Sequence, residues 1–299
     1  MSDQQVIDFV DECFGTTVSE YLRNKNRGGS SGSKGNRYET FYAVYHIARI
    51  VPLLNKGQAG NIIFSTQTLS FVDDLIVEDS KRNSKRHYQL KNSPSVAWGV
   101  GKHKICDDFR YQKALNDAFD VGSTRTCLVV PDKSRAKALA ASLPRDISPY
   151  SEVDCFGVGN TLSHTLQVEP RLYDVLAQLC VEPEPSKVDR LGALIVGEWV
   201  GRQGDRCTAS DLWEGIMRHE PNYIARAPQE ELLPEVSKIL VQILHFTYTI
   251  DKGFFVWQYG ECDSGELDYP IDTDRFRDFQ LELIAREPRT FAELEELLV

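Results

Sequence analysis

Two short apolar runs flank a basic linker in the stretch FVDDLIVEDSKRNSKRHYQLKN, residues 71–92. The first run carries the adjacent acids Asp73 and Asp74, and the second ends in Gln89 followed by Leu90 and Lys91. Side chains alternate between the two faces of a strand, so Gln89 and Lys91 share one face. If the two runs pair as an antiparallel hairpin, an acid at the start of the first strand lies beside Gln89 and Lys91.

This set of side chains is typical of phosphodiester hydrolysis. A carboxylate with an adjacent amide oxygen suits Mg²⁺, which takes one or two protein carboxylates and keeps several waters. A lysine beside it can position or deprotonate the attacking water and offset charge in the transition state. The alternative is an exposed strand pair with a cross-strand ion pair, which contributes about a few tenths of a kcal/mol. Such a short pattern also arises by chance, so its setting in the chain has to decide between the two.

The elements around this hairpin follow an order that indicates an α/β layer domain. A helix is predicted over residues 6–24 and a second from Arg37 to Leu54, because apolar residues recur there at helical spacing. A polar Gly/Ser loop, NKNRGGSSGSKGN, joins them over residues 24–36. Three strands, a helix, a strand and a helix are predicted next, over 61–66, 69–77, 86–92, 105–120, 124–131 and 132–144. We therefore expect an α/β N-terminal domain over residues 1–150.

The position of Glu39 on a helix, of Asp74 on a strand and of Gln89-Leu90-Lys91 at the end of the next strand resembles the PD-(D/E)xK, or restriction-endonuclease-like, fold. The Gly-rich basic loop before RYETFYAVYH, the DDLIV strand and the YQLKN strand are similar to the Mrr-type branch. Within that branch, the sequence is most similar to DNA endonucleases of bacterial antiphage defence. These include nucleases associated with cyclic-oligonucleotide signalling and the nuclease subunits of Lamassu-type systems. The resemblance covers roughly residues 20–150.

The resemblance implies a catalytic set of Asp74, Gln89, Lys91 and Glu39, with Mg²⁺ or Mn²⁺ as the cofactor. Asp74, Gln89 and Glu39 would hold the metal, and Lys91 corresponds to the motif lysine. Gln89 departs from the general pattern, which has an acid there. Mrr-type members commonly carry Gln at this point, which favours one metal over two.

Three assignments stay open at this stage. Asp73 is the alternative to Asp74, which is preferred because the family's acid directly precedes the apolar run. Glu39 is either the helix acid of the metal site or a solvated helix residue. His87 shares the face of Gln89 and either contacts phosphate or packs.

The charge of the chain is unevenly distributed. The whole sequence carries a net charge of −10, which argues against binding to nucleic acid. From Arg23 to Lys113, however, 16 Lys or Arg stand against 7 Asp or Glu, a net charge of +9 that leaves −19 for the rest. Double-stranded DNA is the expected partner of this basic block. The side chains expected to contact its phosphates are Lys81, Arg82, Lys85, Arg86, Lys102 and Lys104.

The acidic C-terminal part, residues 151–299, is predicted to be mostly helical and winged-helix-like. Helical spacing recurs over 170–180, 187–202 and 208–220, with Thr208 or Ser210 as the N-cap of the last helix. A hairpin is predicted after these helices, turning at Asp251-Lys252-Gly253. Its acidity favours a regulatory or partner-docking role over DNA binding.

Several classes of protein do not fit the sequence. No apolar run approaches the roughly 18–20 residues that span a bilayer, and the N-terminus lacks the features of a signal peptide, so we expect a cytoplasmic protein with no membrane partner. The seven cysteines are scattered without a CxxC pair, so reduced thiols are expected and a zinc site is not. Neither GxGxxG nor GxxxxGK[ST] occurs, so no dinucleotide or ATPase site is expected.

Two functions are compatible with these observations. The first is a Mg²⁺-dependent endodeoxyribonuclease, an effector of antiphage defence that stays latent until assembly. The resemblance implies activation through a homo-oligomer, or through docking to a sensor or an SMC-like ATPase subunit. The second is a non-catalytic regulator that binds DNA or a protein with a degenerate nuclease fold.

Overall fold

The chain forms two compact units in a computed structural model that describes residues 2–28, 33–54, 59–101, 103–202, 206–218, 223–225, 232–251, 253–260, 263–271 and 273–298. The first unit comprises Met1–Ala177 and Val188–His219, and the second comprises Gln178–Lys187 and Glu220–Val299. This division differs from the boundary expected at residue 150, because strands beyond that residue belong to the first unit.

The first unit is a mixed α/β structure with six strands. In chain order its elements are α1 (Asp3–Phe14), α2 (Thr16–Gly28), α3 (Ser33–Leu54), β1 (Ile62–Ser65), β2 (Leu75–Asp79), β3 (Ser84–Leu90), α4 (Ile105–Ala118), β4 (Ser123–Val130), α5 (Lys133–Ala141), β5 (Ser151–Cys155), α6 (Leu162–Val168), α7 (Pro170–Ala177), α8 (Pro185–Gly201), β6 (Cys207–Thr208) and α9 (Ala209–Met217). The predicted succession of a helix, three strands, a helix, a strand and a helix is confirmed by α3 to α5.

The six strands form one sheet in the order β5-β4-β3-β2-β1-β6. Strands β1, β2 and β3 pair antiparallel, as does β6 with β1, whereas β3, β4 and β5 run parallel. Leu75 pairs with Tyr88 in the β2–β3 hairpin, so the preceding residue, Asp74, comes opposite Gln89. The carboxyl ends of the parallel strands meet at the same edge of the sheet, where ligands of α/β proteins commonly bind.

Helices cover both faces of this sheet. On one face α3 packs against β3, where the rings of Tyr42 and Tyr88 are 5.2 Å apart. On the other face α1, α2 and α4 contribute to a buried apolar cluster that includes Val10, Leu22 and Phe109. Tyr88 and Gln89 therefore lie on opposite faces of β3. Tyr88 faces α3, and Gln89 lies on the side of α2 and α4.

The predicted helix over residues 6–24 is in fact two helices. Ser2 caps α1 and forms a capping box with Gln5. The helix ends at Gly15, whose φ of 86° lies in the left-handed region that a glycine adopts without strain. The apolar spacing continues across this break, which is why the sequence pattern did not reveal it.

The predicted loop over residues 24–36 is also largely helical. Helix α2 runs on to Gly28 and α3 begins at Ser33, while residues 29–32 lie outside the described part of the chain. The extension places Lys25 on a helix, and the side chain of Lys25 has buried partners. Tertiary contacts thus override the weak helix propensity of this Gly- and Ser-rich segment.

The second unit contains a three-stranded antiparallel sheet. Its elements are α10 (Pro234–Gln242), β7 (Phe246–Asp251), β8 (Phe254–Tyr259), β9 (Asp263–Pro270), α11 (Asp274–Arg286) and α12 (Phe291–Glu295), and the strand order is β7-β8-β9. The predicted hairpin is confirmed, with Asp251 paired to Phe254 and with Lys252 outside the described residues. Buried apolar residues of α10, α11 and the sheet form one core, which includes Val236, Phe255 and Leu283.

This unit differs from the predicted helical, winged-helix-like arrangement. The helices predicted over 187–202 and 208–220 correspond to α8 and α9, and the contacts of residues 188–219 belong to the first unit. The N-cap of α9 is Thr208, which was predicted as an alternative to Ser210. Strand β9 was missed because its sequence, DSGELDYP, has the Gly, Asp and Pro of a loop. Its Gly265 fits closely under the indole of Trp257, where a Cβ would lie 2.7 Å from the ring.

Within the described residues, no helix combines the length and the apolar character that a bilayer crossing requires.

Candidate functional site

The residues singled out in the β2–β3 hairpin meet at one edge of the sheet. Asp74 directly precedes β2, and its Oδ2 accepts hydrogen bonds from the Leu90 backbone N–H at 2.7 Å and from the Gln89 side-chain amide. Neither of these bonds uses Oδ1 of Asp74. The strand register therefore fixes the carboxylate of Asp74 through its Oδ2 atom.

Gln89 is buried, with 2% of its surface exposed, and both ends of its amide have partners. The nitrogen donates to Asp74, and the oxygen accepts a hydrogen bond from Lys25 Nζ at 3.1 Å. In this arrangement the amide oxygen faces Lys25 and not Asp74. Gln89 therefore orients Asp74 in this structure, while the ligand role implied by the resemblance stays a prediction.

Glu39 of α3 lies within electrostatic range of Asp74 and Lys91. Burial raises the pKa of Glu39 to about 7, the negative charges of Asp74 and then Asp73 raise it too, and the Lys91 ammonium lowers it. Lys91 follows β3 and extends its pairing with β4, since its N–H donates to the Val129 carbonyl at 2.9 Å. The structure thus brings Glu39, Asp74 and Lys91 to the same edge of the sheet.

Asp73 has a different environment from Asp74. It is buried, with 6% of its surface exposed, and its Oδ1 lies 3.7 Å from Lys25 Nζ without a hydrogen bond to any described residue. Burial raises the pKa of Asp73 to about 6 against the opposing effect of Lys25, and the charge of Asp74 adds to the rise. Asp73 is therefore part of a buried ion-pair cluster.

That cluster contains residues which the sequence analysis did not assign to the site. Lys25 Nζ lies 3.2 Å from Asp108 Oδ2 and also donates to the Phe71 carbonyl. Asp108 is buried and accepts a hydrogen bond from the Tyr21 hydroxyl at 3.0 Å, and burial raises its pKa. The available signal was the spacing of Tyr21 and Lys25, which are four residues apart and share one face of α2. Without the fold, nothing in the sequence connected that face to α4.

A second group of buried polar side chains holds the turn before Asp73. The Gln112 oxygen accepts from the Ser70 hydroxyl at 2.5 Å and from the N–H groups of Phe71 and Val72 at 2.9 and 3.2 Å. Each of these backbone donors would be buried and unpaired without Gln112. Gln112 therefore positions the turn that presents Asp73 and Asp74.

His87 belongs to the same group, so of its two predicted roles the structure shows packing and not contact with phosphate. Its Nδ1 lies 2.9 Å from the Val72 carbonyl, and its Nε2 lies 2.9 Å from the Asn116 side-chain amide. Burial lowers the pKa of His87 to about 4, so the ring is neutral near pH 7. The geometry requires a proton on Nδ1, with Nε2 as an acceptor. His87 packs and supports the turn.

The predicted DNA contacts are not gathered at this edge. Lys81 and Arg82 are exposed in the turn between β2 and β3, which is the opposite end of the hairpin from Gln89. Gln89 lies five residues beyond Ser84, where β3 begins, about 16 Å at the usual rise, and Arg82 precedes Ser84 in the turn. Lys102 lies outside the described residues, and Lys104 precedes α4 and is exposed.

Three of these basic side chains have acidic partners. Lys85 lies 3.5 Å from Glu78, Arg82 lies 3.7 Å from Asp79, and Arg86 lies 3.9 Å from Glu152. Of the predicted set, Lys104 is the N-cap residue of α4, the helix that carries Asp108.

The described residues contain no group of three or more His, Cys, Asp or Glu side chains arranged to hold a metal ion. Two carboxylates, Asp74 and Glu39, nevertheless have the chemistry that Mg²⁺ requires, since this ion takes one or two carboxylates and completes its shell with water. The raised pKa of Glu39, caused by burial and then by the charge of Asp74, indicates a place where a cation would offset negative charge. The residues therefore fit a single hard cation.

Comparisons with known proteins do not assign the chain to a family. No protein-family model, no curated protein and no solved structure matches it.

Proposed function

We propose that the chain is a metal-dependent endonuclease that hydrolyses phosphodiester bonds in DNA. The observation that supports this most directly is the convergence of Asp74, Glu39 and Lys91 at the end of the β2–β3 hairpin, with the pKa of Glu39 raised to about 7 partly by the charge of Asp74. Two acids that repel each other beside a lysine are typical of a site built for a cation and a phosphate.

The residues of the chain have distinct tasks in this proposal. Asp74, oriented by the Leu90 N–H and the Gln89 amide, and Glu39 would hold the cation. Bound there, Mg²⁺ or Mn²⁺ would lower the pKa of a water molecule and neutralise charge on the phosphate. Lys91 orients the attacking water and offsets the charge that develops on the phosphate oxygens. Lys25 neutralises Asp73 and Asp108, so that the remaining negative charge is concentrated on Asp74 and Glu39.

The resemblance to defence nucleases also implies a cellular role for the protein. We infer an effector of bacterial antiphage defence that acts on double-stranded DNA and is restrained until it assembles. Self-association and docking to a sensor or an SMC-like ATPase subunit are the two routes of activation that the resemblance implies.

A non-catalytic regulator is the second candidate, and the position of Lys25 favours it. The Lys25 ammonium donates to Gln89 and Asp108 and lies 3.7 Å from Asp73, so it already supplies positive charge beside the candidate site. A degenerate nuclease fold in which a lysine replaces the cation would bind DNA or a protein without cutting.

Incubation with supercoiled plasmid distinguishes these functions. The nuclease converts the plasmid to nicked or linear product with Mg²⁺ or Mn²⁺ and not with EDTA, and Asp74→Asn abolishes this conversion. Asp174→Asn, an exposed carboxylate of α7, is the matched control and should cut like the wild type. DNA retention in a gel-shift assay without any product, across a concentration series and with both cations, would support the regulator.

A further inference from the structure

A second pocket lies on the other face of the sheet from Gln89, between α3 and strands β2 to β4. Its volume is about 390 Å³, within the range of small-molecule sites. The polar lining includes His46, Arg49, Arg86 and Arg125, and the apolar lining includes Ile50, Leu53 and Val77. Arg86 is five residues before Lys91, about 16 Å along β3, so this pocket is separate from the candidate active site.

The three arginines give this pocket a surplus of positive charge. Arg49 stacks over the ring of Tyr45 at 5.2 Å, and Arg125 donates to the Pro149 carbonyl at 3.0 Å. Neither contact neutralises a guanidinium group. Arg86 has Glu152 at 3.9 Å, an ion pair that is half exposed and therefore weak. The acid that lines the pocket, Asp79, already accepts from Asn61 and pairs with Arg82.

His46 provides an independent observation. It is 8% exposed, it lines the pocket, and its Nε2 has no hydrogen-bond partner in the described part of the structure. Burial, followed by the charges of Arg49, Arg86 and Arg171, lowers the pKa of His46 to about 3, so the imidazole is neutral. A buried polar atom without a partner costs stability, and such atoms are uncommon unless a ligand satisfies them.

We propose that this pocket binds a small phosphate-bearing molecule, whose anionic group contacts Arg49, Arg86 and Arg125 and hydrogen-bonds to His46. Arginine presents a planar set of donors that matches phosphate oxygens. The apolar side chains on the rim of the pocket would contact the non-phosphate part of the ligand. This inference is independent of the proposed nuclease activity, since it uses none of the residues of that site.

A DNA backbone is a less suitable occupant than a small molecule. Its phosphates could reach Arg49 and Arg125, which are exposed. They would not reach the imidazole of His46, which lies among Tyr42, Tyr45 and Tyr88 with ring centroids 4.6–5.3 Å away. A small ligand can instead enter the pocket that His46 lines.

Titration calorimetry with pyrophosphate and with inorganic phosphate tests the proposal on the full chain. The double variant Arg49→Gln/Arg125→Gln should weaken pyrophosphate binding by about tenfold or more, because two charge-assisted hydrogen bonds to the anion are lost. Arg145→Gln/Arg190→Gln removes the same charge from exposed positions outside the pocket and should bind like the wild type. Equal losses in the two double variants would overturn the proposal, because they would reveal an effect of net charge alone.

His46→Phe supplies a second test that does not depend on surface charge. This variant removes the unpartnered nitrogen, so it should weaken pyrophosphate binding while its melting temperature stays the same or rises. Unchanged binding by His46→Phe would contradict the predicted contact. Displacement of pyrophosphate from the wild type by a short DNA duplex, in proportion to duplex concentration, would assign the pocket to DNA and also overturn the proposal.

Discussion

Asp73 and Asp74 are adjacent in the sequence, yet their carboxylates have different partners. Asp73 faces the ammonium of Lys25 inside a buried cluster, whereas Asp74 accepts from the β3 backbone and lies beside Glu39 and Lys91. The proposed chemistry therefore belongs to Asp74, and the contribution of Asp73 is to the stability and shape of the turn.

Substitution of each aspartate separates these roles. Asp74→Ala should lower the rate of DNA cleavage by about 10²-fold or more, since a cation ligand is lost. Asp73→Ala should be milder in cleavage but should lower the free energy of unfolding by about 1–3 kcal/mol, because Lys25 loses a buried acidic partner. Plasmid cleavage and urea unfolding measure the two effects. An inactive Asp73→Ala protein beside an active Asp74→Ala protein would reverse the assignment.

The raised pKa of Glu39 makes stability depend on pH. Its pKa is about 7 in the folded protein and 4.5 ordinarily, so the folded state binds the proton more tightly than the unfolded chain. The stability gained from this proton is fully present below about pH 4.5 and is lost as the pH rises through 7. Asp73, with a pKa raised to about 6, acts in the same direction. The melting temperature should therefore fall between about pH 5 and pH 8, and Glu39→Gln should make this fall smaller.

Mg²⁺ should act on the same carboxylate. At about pH 8, where Glu39 is ionised, the cation should raise the melting temperature of the wild type more than that of Glu39→Gln. This readout needs no catalytic activity. An identical Mg²⁺ response in the two proteins would remove Glu39 from the proposed cation site.

Among the elements, helix α2 supplies Lys25 and Tyr21 to the buried cluster beside the site. Its direction depends on the break at Gly15, where the backbone has a φ of 86° and an added Cβ would meet no neighbouring atom within 4 Å. A side chain at residue 15 would thus destabilise the fold through an unfavourable backbone conformation and not through a steric clash.

Gly15→Ala should lower the free energy of unfolding by about 1 kcal/mol, because alanine avoids the left-handed region. Gly197→Ala is the matched control, since Gly197 lies inside α8 and an added Cβ there also meets nothing within 4 Å. That change should stabilise by about 0.5–1 kcal/mol, because alanine is the better helix former. Chemical unfolding of both variants checks the opposite signs. A stabilised Gly15→Ala protein would show that α1 and α2 can form one continuous helix.

The sequence was informative about elements with strong local patterns. Strands β3 and β4 and helix α4 were predicted within two residues, because apolar alternation and helical spacing are local properties, whereas β2 was predicted from residue 69 and begins at Leu75. The pairing of Asp74 with Gln89 followed from the hairpin register alone. The helix break at Gly15 was not predicted, since the apolar spacing continues through it.

The sequence did not predict contacts between residues that are far apart in the chain. Lys25 was assigned to a loop because the segment that follows it is rich in glycine and serine, and Asp108 was placed on the helix predicted over 105–120 without a role in the site. Their meeting depends on the packing of α2 against α4, which no local pattern records. Strand β9 was missed for a related reason, because Gly265 has a role only once Trp257 lies over it.

At the scale of the whole molecule, the charge is segregated along the chain. The segment from Arg23 to Lys113 carries +9, while the remainder carries −19. An acidic surface repels DNA and can serve as an interface for a basic partner. A nuclease with little sequence specificity also needs restraint in its own cell. These considerations favour a protein that is latent on its own.

Cleavage should therefore rise more steeply than in proportion to protein concentration, because assembly brings active sites together on both strands. Size-fractionated monomer and oligomer, with and without a neighbouring gene product, should be compared at equal total protein. The oligomer or the complex should cut, and the monomer should be slow. Complete double-strand cleavage by a dilute monomer without a partner would show that assembly is not required.

Lys91, beside Asp74 and Glu39, is proposed to take part in cation-dependent cleavage of DNA. The most direct measurement compares the rate of linear-plasmid formation by the wild type, Lys91→Ala and Lys137→Ala in Mg²⁺ and in EDTA, with the assembled protein. Lys137 is an exposed lysine of α5, so its loss controls for the change in charge. The wild type and Lys137→Ala should cut only with the cation, and Lys91→Ala should be slower by about 10²-fold or more. Equal rates for Lys91→Ala and the wild type, or cleavage that persists in EDTA, would contradict the account.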